Sequence, residues 1–166
     1  PSVPLLSTER VLLAGRWYVC QACRRAKEAG PDTDSALFNV TVRGDKGLTE
    51  QHVERQLRCY LSERITALLT YWEPLMGVKA SCFGIRKMHT RWGTCNTRTE
   101  KIWLSFQLMH FPLELLEYVV VHELTHLFER YHNRRFYALM DSFLPNWRSL
   151  KQRLNHYEIP DYPSGQ

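Results

Sequence analysis

Pro112-Leu-Glu-Leu-Leu-Glu-Tyr-Val-Val-Val-His-Glu-Leu-Thr-His-Leu-Phe-Glu-Arg-Tyr-His132 is the stretch on which the reading of the whole chain turns. Its spacing predicts a helix. Pro112 suits the first helical position, where the missing N–H has no intrahelical partner to lose. Glu114 and Glu117 lie near that end, where the helix dipole favours negative charge. Leu113, Leu116, Val120, Leu124, Leu127 and Tyr131 recur at three- and four-residue intervals, a core-facing stripe. Leu115 and Val119 carry apolar character round to the face of His122 and His126, so burial on most sides is expected.

Two histidines four apart on one helix stand about 5–6 Å apart at Cβ, close enough to share one ion. Glu123 lies one residue on, turned toward the side where water on such an ion would sit. This is the His-Glu-x-x-His arrangement of zinc hydrolases, with the glutamate as general base. A bare glutamate and two histidines amid apolar residues are costly to bury, and a metal partners all three. Zinc, which takes imidazole nitrogen at about 2.0–2.1 Å, is the expected ion. Nickel, copper and cobalt also suit imidazole-rich sites.

His132 lies six residues past His126, the distance of the third histidine in Met-turn metalloproteases. Those enzymes have a glycine three residues after the second histidine; here that position is Glu129, so the corner must be turned differently. Asn133 can cap a following helix with the stripe Phe136, Leu139, Met140 and Phe143, stopped before Pro145. Asp141 on that helix is the alternative third ligand. His132 is favoured, because catalytic zinc takes three protein ligands and keeps a fourth position open.

Length and composition fit this reading. A chain of 166 residues with 44% apolar and 23% charged residues is ordinary for a globular domain with a real core. No apolar run approaches the roughly 18 residues needed to span a bilayer, so no membrane partner is expected. No secretory signal is visible, and a chain that opens on Pro1 is expected to be a fragment. Five cysteines without a dense framework fit a reducing compartment, and the expected location is the cytoplasm. The net charge of +5 permits an anionic partner, nucleic acid included. Arg24-Arg25-x-Lys27, Arg134-Arg135 and Arg148-x-x-Lys151-x-Arg153 are its local clusters. Short clusters of this kind are ordinarily solvated helix faces, and no nucleic-acid motif accompanies them.

Ser7 to Ala29 is expected to be helical, ended by Gly30-Pro31, with Cys20 and Cys23 as two small residues on one helix face. Ala36 to Val42 reads as a strand closed by a turn over Arg43–Gly47. Thr49 caps a long helix whose stripe is Val53, Leu57, Tyr60, Leu61, Ile65, Leu68, Leu69 and Trp72. Beyond Pro74 the pattern becomes extended, with strands expected over Lys79–Met88 and Glu100–Ser105 and a hairpin connection over Thr90–Thr99. Arg91 and Trp92, just before Gly93, are the oddest local feature outside the central helix. They read equally as a turn with a packed indole and as an edge strand beside a metal cleft, offering backbone groups to an extended substrate.

The combination of Arg91-Trp-Gly-Thr-Cys95, Tyr118-Val-Val-Val-His-Glu-Leu-Thr-His126 and His132-Asn-x-x-Phe136 resembles the YgjP-type predicted metallopeptidases, small zincins related to the WLM and SprT-like proteases. The resemblance covers Thr49 to Tyr157; Thr94 stands where the family usually has serine, and Ser105 where asparagine is common. It implies an α+β, zincin-like fold: a short mixed or antiparallel sheet packed on helices, with the His-Glu-x-x-His helix central. It implies zinc on His122, His126 and His132, with Glu123 as general base and a peptide or protein as substrate. The domain reading is an unassigned N-terminal segment of helix plus strand over 1–48, the metallopeptidase domain over 49–157, and a tail over 158–166. Arg91, Tyr131, Tyr137 and His110 are candidate electrophiles for the oxyanion, and Trp92 a candidate substrate contact. Two further readings stand beside the peptidase: a DNA-associated protease of the SprT or WLM kind acting on DNA-bound or crosslinked proteins, and a non-catalytic metal-binding module.

Overall fold

The computed structural model describes residues 3–157; the tail over 158–166 lies outside them. The described residues form four α-helices and two small mixed sheets, an α+β fold. It divides into two compact units: residues 3–62 with 109–112, and residues 63–108 with 113–157.

The first unit is built on a four-stranded sheet of order β1-β2-β4-β3: β1 Arg10–Leu13, β2 Arg16–Cys23, β3 Gly30–Asp32 and β4 Leu37–Thr41. β1 and β2 pair antiparallel, β2 runs parallel to β4, and β3 pairs antiparallel with β4. The helix expected over Ser7–Ala29 is therefore a correction: that segment is mostly strand. Ala14 and Gly15 sit at φ 52° and 82°, the left-handed backbone of a tight hairpin, and the chain reverses there instead of continuing as a helix. Apolar residues then alternate, with Val11, Leu13, Tyr18, Phe38 and Val40 buried together. Cys20 and Cys23 accordingly share no helix face: three apart on a strand, their thiols reach different carbonyls, those of Ser7 and Arg25.

Segment 109–112 is anchored on the β1–β2 turn. The Ala14 and Gly15 amides donate to the carbonyls of Met109 and His110. His110, fully buried, donates from Nδ1 to the Leu12 carbonyl at 2.7 Å.

Helix α1, Glu50–Met76, opens as expected, with the Thr49 hydroxyl accepting from the His52 amide at 3.2 Å. It runs two residues past Pro74, where an extended chain was expected to begin. Val53, Leu57, Leu61, Ile65, Leu69 and Trp72 are its buried stripe, while Tyr60 and Leu68 are half-buried.

The second unit carries a three-stranded sheet of order β5-β7-β6: β5 Cys82–Arg86, β6 Gly93–Asn96 and β7 Lys101–Ser105. β5 is parallel and β6 antiparallel to β7. The stretch Thr90–Thr99, expected as a simple hairpin connection, thus contains a third strand and the β6–β7 turn. Gln107 is a buried brace for the loop ahead of β6: its side-chain amide donates to the Met88 carbonyl and its oxygen accepts the Met88 amide. The Ser105 hydroxyl also donates to that oxygen.

Helix α2, Leu113–Thr125, lies beside this sheet and buries Leu115, Leu116, Val119, Val120, Val121 and Leu124. Each fully buried side chain of this size contributes about 1.5–3 kcal/mol. Its ends depart from the expected stripe: Leu113 and Tyr131 are exposed, and the helix closes at Thr125, before His126. Trp72 Nε1 donates to Glu117, and Arg153 to Glu114, both at 3.0 Å, fixing α2 against its neighbours. Helices α3, Arg134–Phe143, and α4, Trp147–Asn155, complete the unit.

Burial pushes the His110 pKa down from 6.5 to about 4. Between those values the unfolded chain binds a proton that the folded chain excludes, so stability falls as pH drops through this window. Thermal unfolding followed by circular dichroism from about pH 7 to pH 4 should show that fall, and a shallower one in His110→Gln. Parallel curves for the two proteins would contradict it.

Candidate active site

Three imidazoles meet at the C-terminal end of α2. His122 occupies its last turn. His126 follows the final helical residue, where the Leu127 and Phe128 amides tighten onto the carbonyls of Leu124 and Thr125. The corner needs no glycine: the Glu129 carboxylate accepts from the Tyr131 amide and from Arg135, and holds the loop that returns His132. Asn133 then caps α3, accepting from the Phe136 amide at 3.1 Å.

The Nε2 atoms of His122 and His132 lie 3.1 Å apart, and those of His132 and His126 3.0 Å. Nitrogens bound tetrahedrally to one ion at about 2.0–2.1 Å would lie about 3.3 Å apart, so the donor set fits a metal with little adjustment. Among the described residues these three histidines are the group able to hold one. His126 Nδ1 donates to the Glu129 carbonyl at 3.1 Å, which fixes its tautomer and leaves the Nε2 lone pair facing the other two rings. Burial, then the two neighbouring imidazoles, push the His122 pKa down to about 3, so that ring is neutral. Its Nδ1 is buried and has no hydrogen-bond partner among the described residues. Phe136, 1% exposed, packs against all three rings with centroids 4.6–5.0 Å away.

Glu123 is 5% exposed on the same helix, facing β6. Burial raises its pKa to about 8, opposed by the Arg91 guanidinium. The strand comes this close because position 93 has no side chain. A Cβ on Gly93 would stand 2.8 Å from Val119 Cγ1 and 2.9 Å from Glu123 Oε2. β6 is the sheet edge, and the Ser105 amide donates to the Trp92 carbonyl at 2.9 Å. By antiparallel alternation the backbone groups of Gly93 and Cys95 then face away from β7, toward the open side.

The cleft has a volume of about 1090 Å³ and is lined by β6, α2, the His132 corner and α4. It brings together His122, Glu123, His126, His132, Arg91 and Trp92. Tyr131, 65% exposed, and Tyr137, stacked on Trp147 at 5.7 Å, are not among the residues lining it. His110 belongs to the other unit. Asp141 is exposed and accepts from Trp147 Nε1 and Arg148, away from the cleft. Tyr118, Arg130 and Lys151 line the cleft and were not anticipated. Only Tyr118 had a sequence signal: it lies four residues before His122, on the same helix face.

The YgjP-like metallopeptidase domain model matches residues 2–157. The chain belongs to the YgjP-like metallopeptidase family. The match starts well before Thr49, so the N-terminal sheet falls within the family domain. This YgjP-like protein is a peptidase that depends on a catalytic metal and acts on peptide or protein. No curated protein matches it. The metallopeptidase zymogen abylysin of Pyrococcus abyssi is similar in fold, with a TM-score of 0.52 at 20% identity, covering 55% of this chain and 92% of that one. The metallopeptidase zymogen jannalysin of Methanocaldococcus jannaschii gives 0.49 at 17%, covering 55% and 94%. Among the described residues no helix is long and apolar enough to cross a membrane.

Gly93→Ala is expected to displace the Glu123 carboxylate and lower kcat/KM on a peptide library by roughly 10- to 100-fold. Circular dichroism should stay native; unchanged turnover would show that the close approach of β6 is dispensable.

Proposed function

We propose that the protein is a zinc metallopeptidase in which His122, His126 and His132 hold the ion and Glu123 is the general base. The observation that carries this reading is the convergence of three imidazoles, with His132 Nε2 at 3.0–3.1 Å from the Nε2 atoms of the other two, beside a buried carboxyl. When bound, zinc acts as a Lewis acid that eases deprotonation of water near neutral pH and polarises the scissile carbonyl. Glu123 takes the proton of the attacking water and delivers it to the leaving amine. Arg91 favours the ionised, proton-accepting form of Glu123. Gly93 and Cys95 offer backbone donors and acceptors to an extended substrate, which adds as a strand at the sheet edge. Tyr118, whose ring lies 5.8 Å from that of His122, and Arg91 are the side chains placed to stabilise the oxyanion.

The non-catalytic reading is disfavoured because three protein ligands leave a tetrahedral position open, whereas a structural zinc takes a closed four-ligand shell. The DNA-associated reading loses part of its motive: Arg135, Arg148 and Arg153 are paired with Glu129, Asp141 and Glu114.

Mass spectrometry should find one zinc per chain, lost in His132→Ala and kept in Asp141→Ala. Glu123→Gln should keep the metal and lose turnover by at least about 10³-fold. Full activity in that variant would remove Glu123 as base, and metal retention in His132→Ala would remove the third ligand.

A further inference from the structure

We infer that the cleft selects peptides bearing acidic side chains, an inference that rests on the peptidase reading and names its substrate class. Five cations line the cleft: Arg86, Arg91, Arg98, Arg130 and Lys151. Among the described residues that line it, Glu123 is the sole carboxylate. The five come from separate places in the chain. Arg86 ends β5, Arg91 precedes β6, and Arg98 lies in the β6–β7 turn. Arg130 lies in the corner before His132, and Lys151 sits on α4. No single helix face or charge run accounts for them; the fold gathers them.

Apart from Arg91, whose guanidinium bears on Glu123, their charges are also uncommitted. All five are exposed, and none enters an ion pair among the described residues. The neighbouring Arg135, Arg148 and Arg153 do not line the cleft, and each is matched by a carboxylate. Arg86 is held with its guanidinium 4.6 Å from the Trp103 ring centroid, which orders the head without neutralising it. A concave site lined by one sign of charge focuses field lines and concentrates the opposite charge. Arg91 and Arg98 flank β6 at its two ends, so a strand added along that edge runs between them. Acidic side chains on such a strand meet a cation toward either end. An outward ladder of peptide groups at Gly93 and Cys95 suits a polypeptide and offers nothing equivalent to a sugar–phosphate chain.

The test uses the full chain and three fluorescent peptides matched in length, differing only in carrying Glu, Gln or Lys at the variable positions. Binding is read by anisotropy on Glu123→Gln, and turnover on the wild type. The Glu peptide should bind about tenfold or more tightly than the Gln peptide, with the Lys peptide weakest. The preference should shrink as salt rises from about 0.05 to 0.5 M. In Arg86→Glu/Arg98→Glu, checked for native circular dichroism, the Glu-to-Lys ratio should fall at least about tenfold. Equal binding of the three peptides, a Lys preference, or an unchanged ratio in the double variant would overturn the inference. An oligodeoxynucleotide of equal charge that outcompetes the Glu peptide and is weakened by the same double variant would overturn it in favour of nucleic acid. The two readings separate cleanly. Acid-selective binding without wild-type turnover defeats the peptidase mechanism and leaves this inference standing, while turnover indifferent to peptide charge does the reverse.

Discussion

The second unit is arranged around the burial of Glu123. An uncompensated polar group inside a protein costs about 2–7 kcal/mol depending on the reference state, and an ionised one more. Here the carboxyl sits on a helix buried over most of its length, and burial, only partly offset by Arg91, holds its pKa up at about 8. Two features shape its surroundings. Arg91 opposes the shift, and Gly93 lets a strand backbone approach within contact distance, so the carboxyl faces the edge strand of the sheet. β6 must therefore be held accurately. The Ser105–Trp92 hydrogen bond and the Gln107 brace on Met88 fix the loop from which it starts.

The second constraint is the corner that returns His132 to α2. Families that turn here on glycine use the backbone freedom of that residue. This chain has Glu129, no left-handed residue at the corner, and a carboxylate that gathers the Tyr131 amide and Arg135. The capped start of α3 then brings Phe136 beneath all three imidazoles, so the packing that ends one helix and begins the next also orients the ligand set. Site and local fold are one construction. A chemical consequence is that the three rings are held together by apolar packing and side-chain hydrogen bonds, which resist their mutual crowding.

Much of this was legible in residue order because it depends on short-range geometry. His122, Glu123 and His126 are fixed relative to one another by helical spacing, and the Thr49 and Asn133 caps by local hydrogen bonding. Strands Leu37–Thr41 and Lys101–Ser105 alternate cleanly enough to read. The N-terminal sheet is not legible in the sequence because its apolar residues over Arg10–Cys23 match a helical period about as well as two short strands. The deciding signal is Gly15 in the hairpin turn, a single residue set against a longer apolar pattern. β6 reads as a connection in the sequence because it is short and polar, lining a cleft instead of a core.

The sequence by itself determined that His122, Glu123 and His126 lie within about one helical turn of each other and that helices start at Thr49 and Asn133, since helical spacing and helix caps are local properties. The tertiary structure alone decided that His132 and not Asp141 joins the other two rings, because Asp141 is engaged by Trp147 and Arg148 while the corner swings His132 inward. It also decided the lining of the cleft. Tyr118, Arg130 and Lys151 meet there, and Tyr131 and Tyr137 do not. Which side chains share a cavity depends on how strands and helices distant in sequence are packed, and residue spacing along the chain carries no record of that.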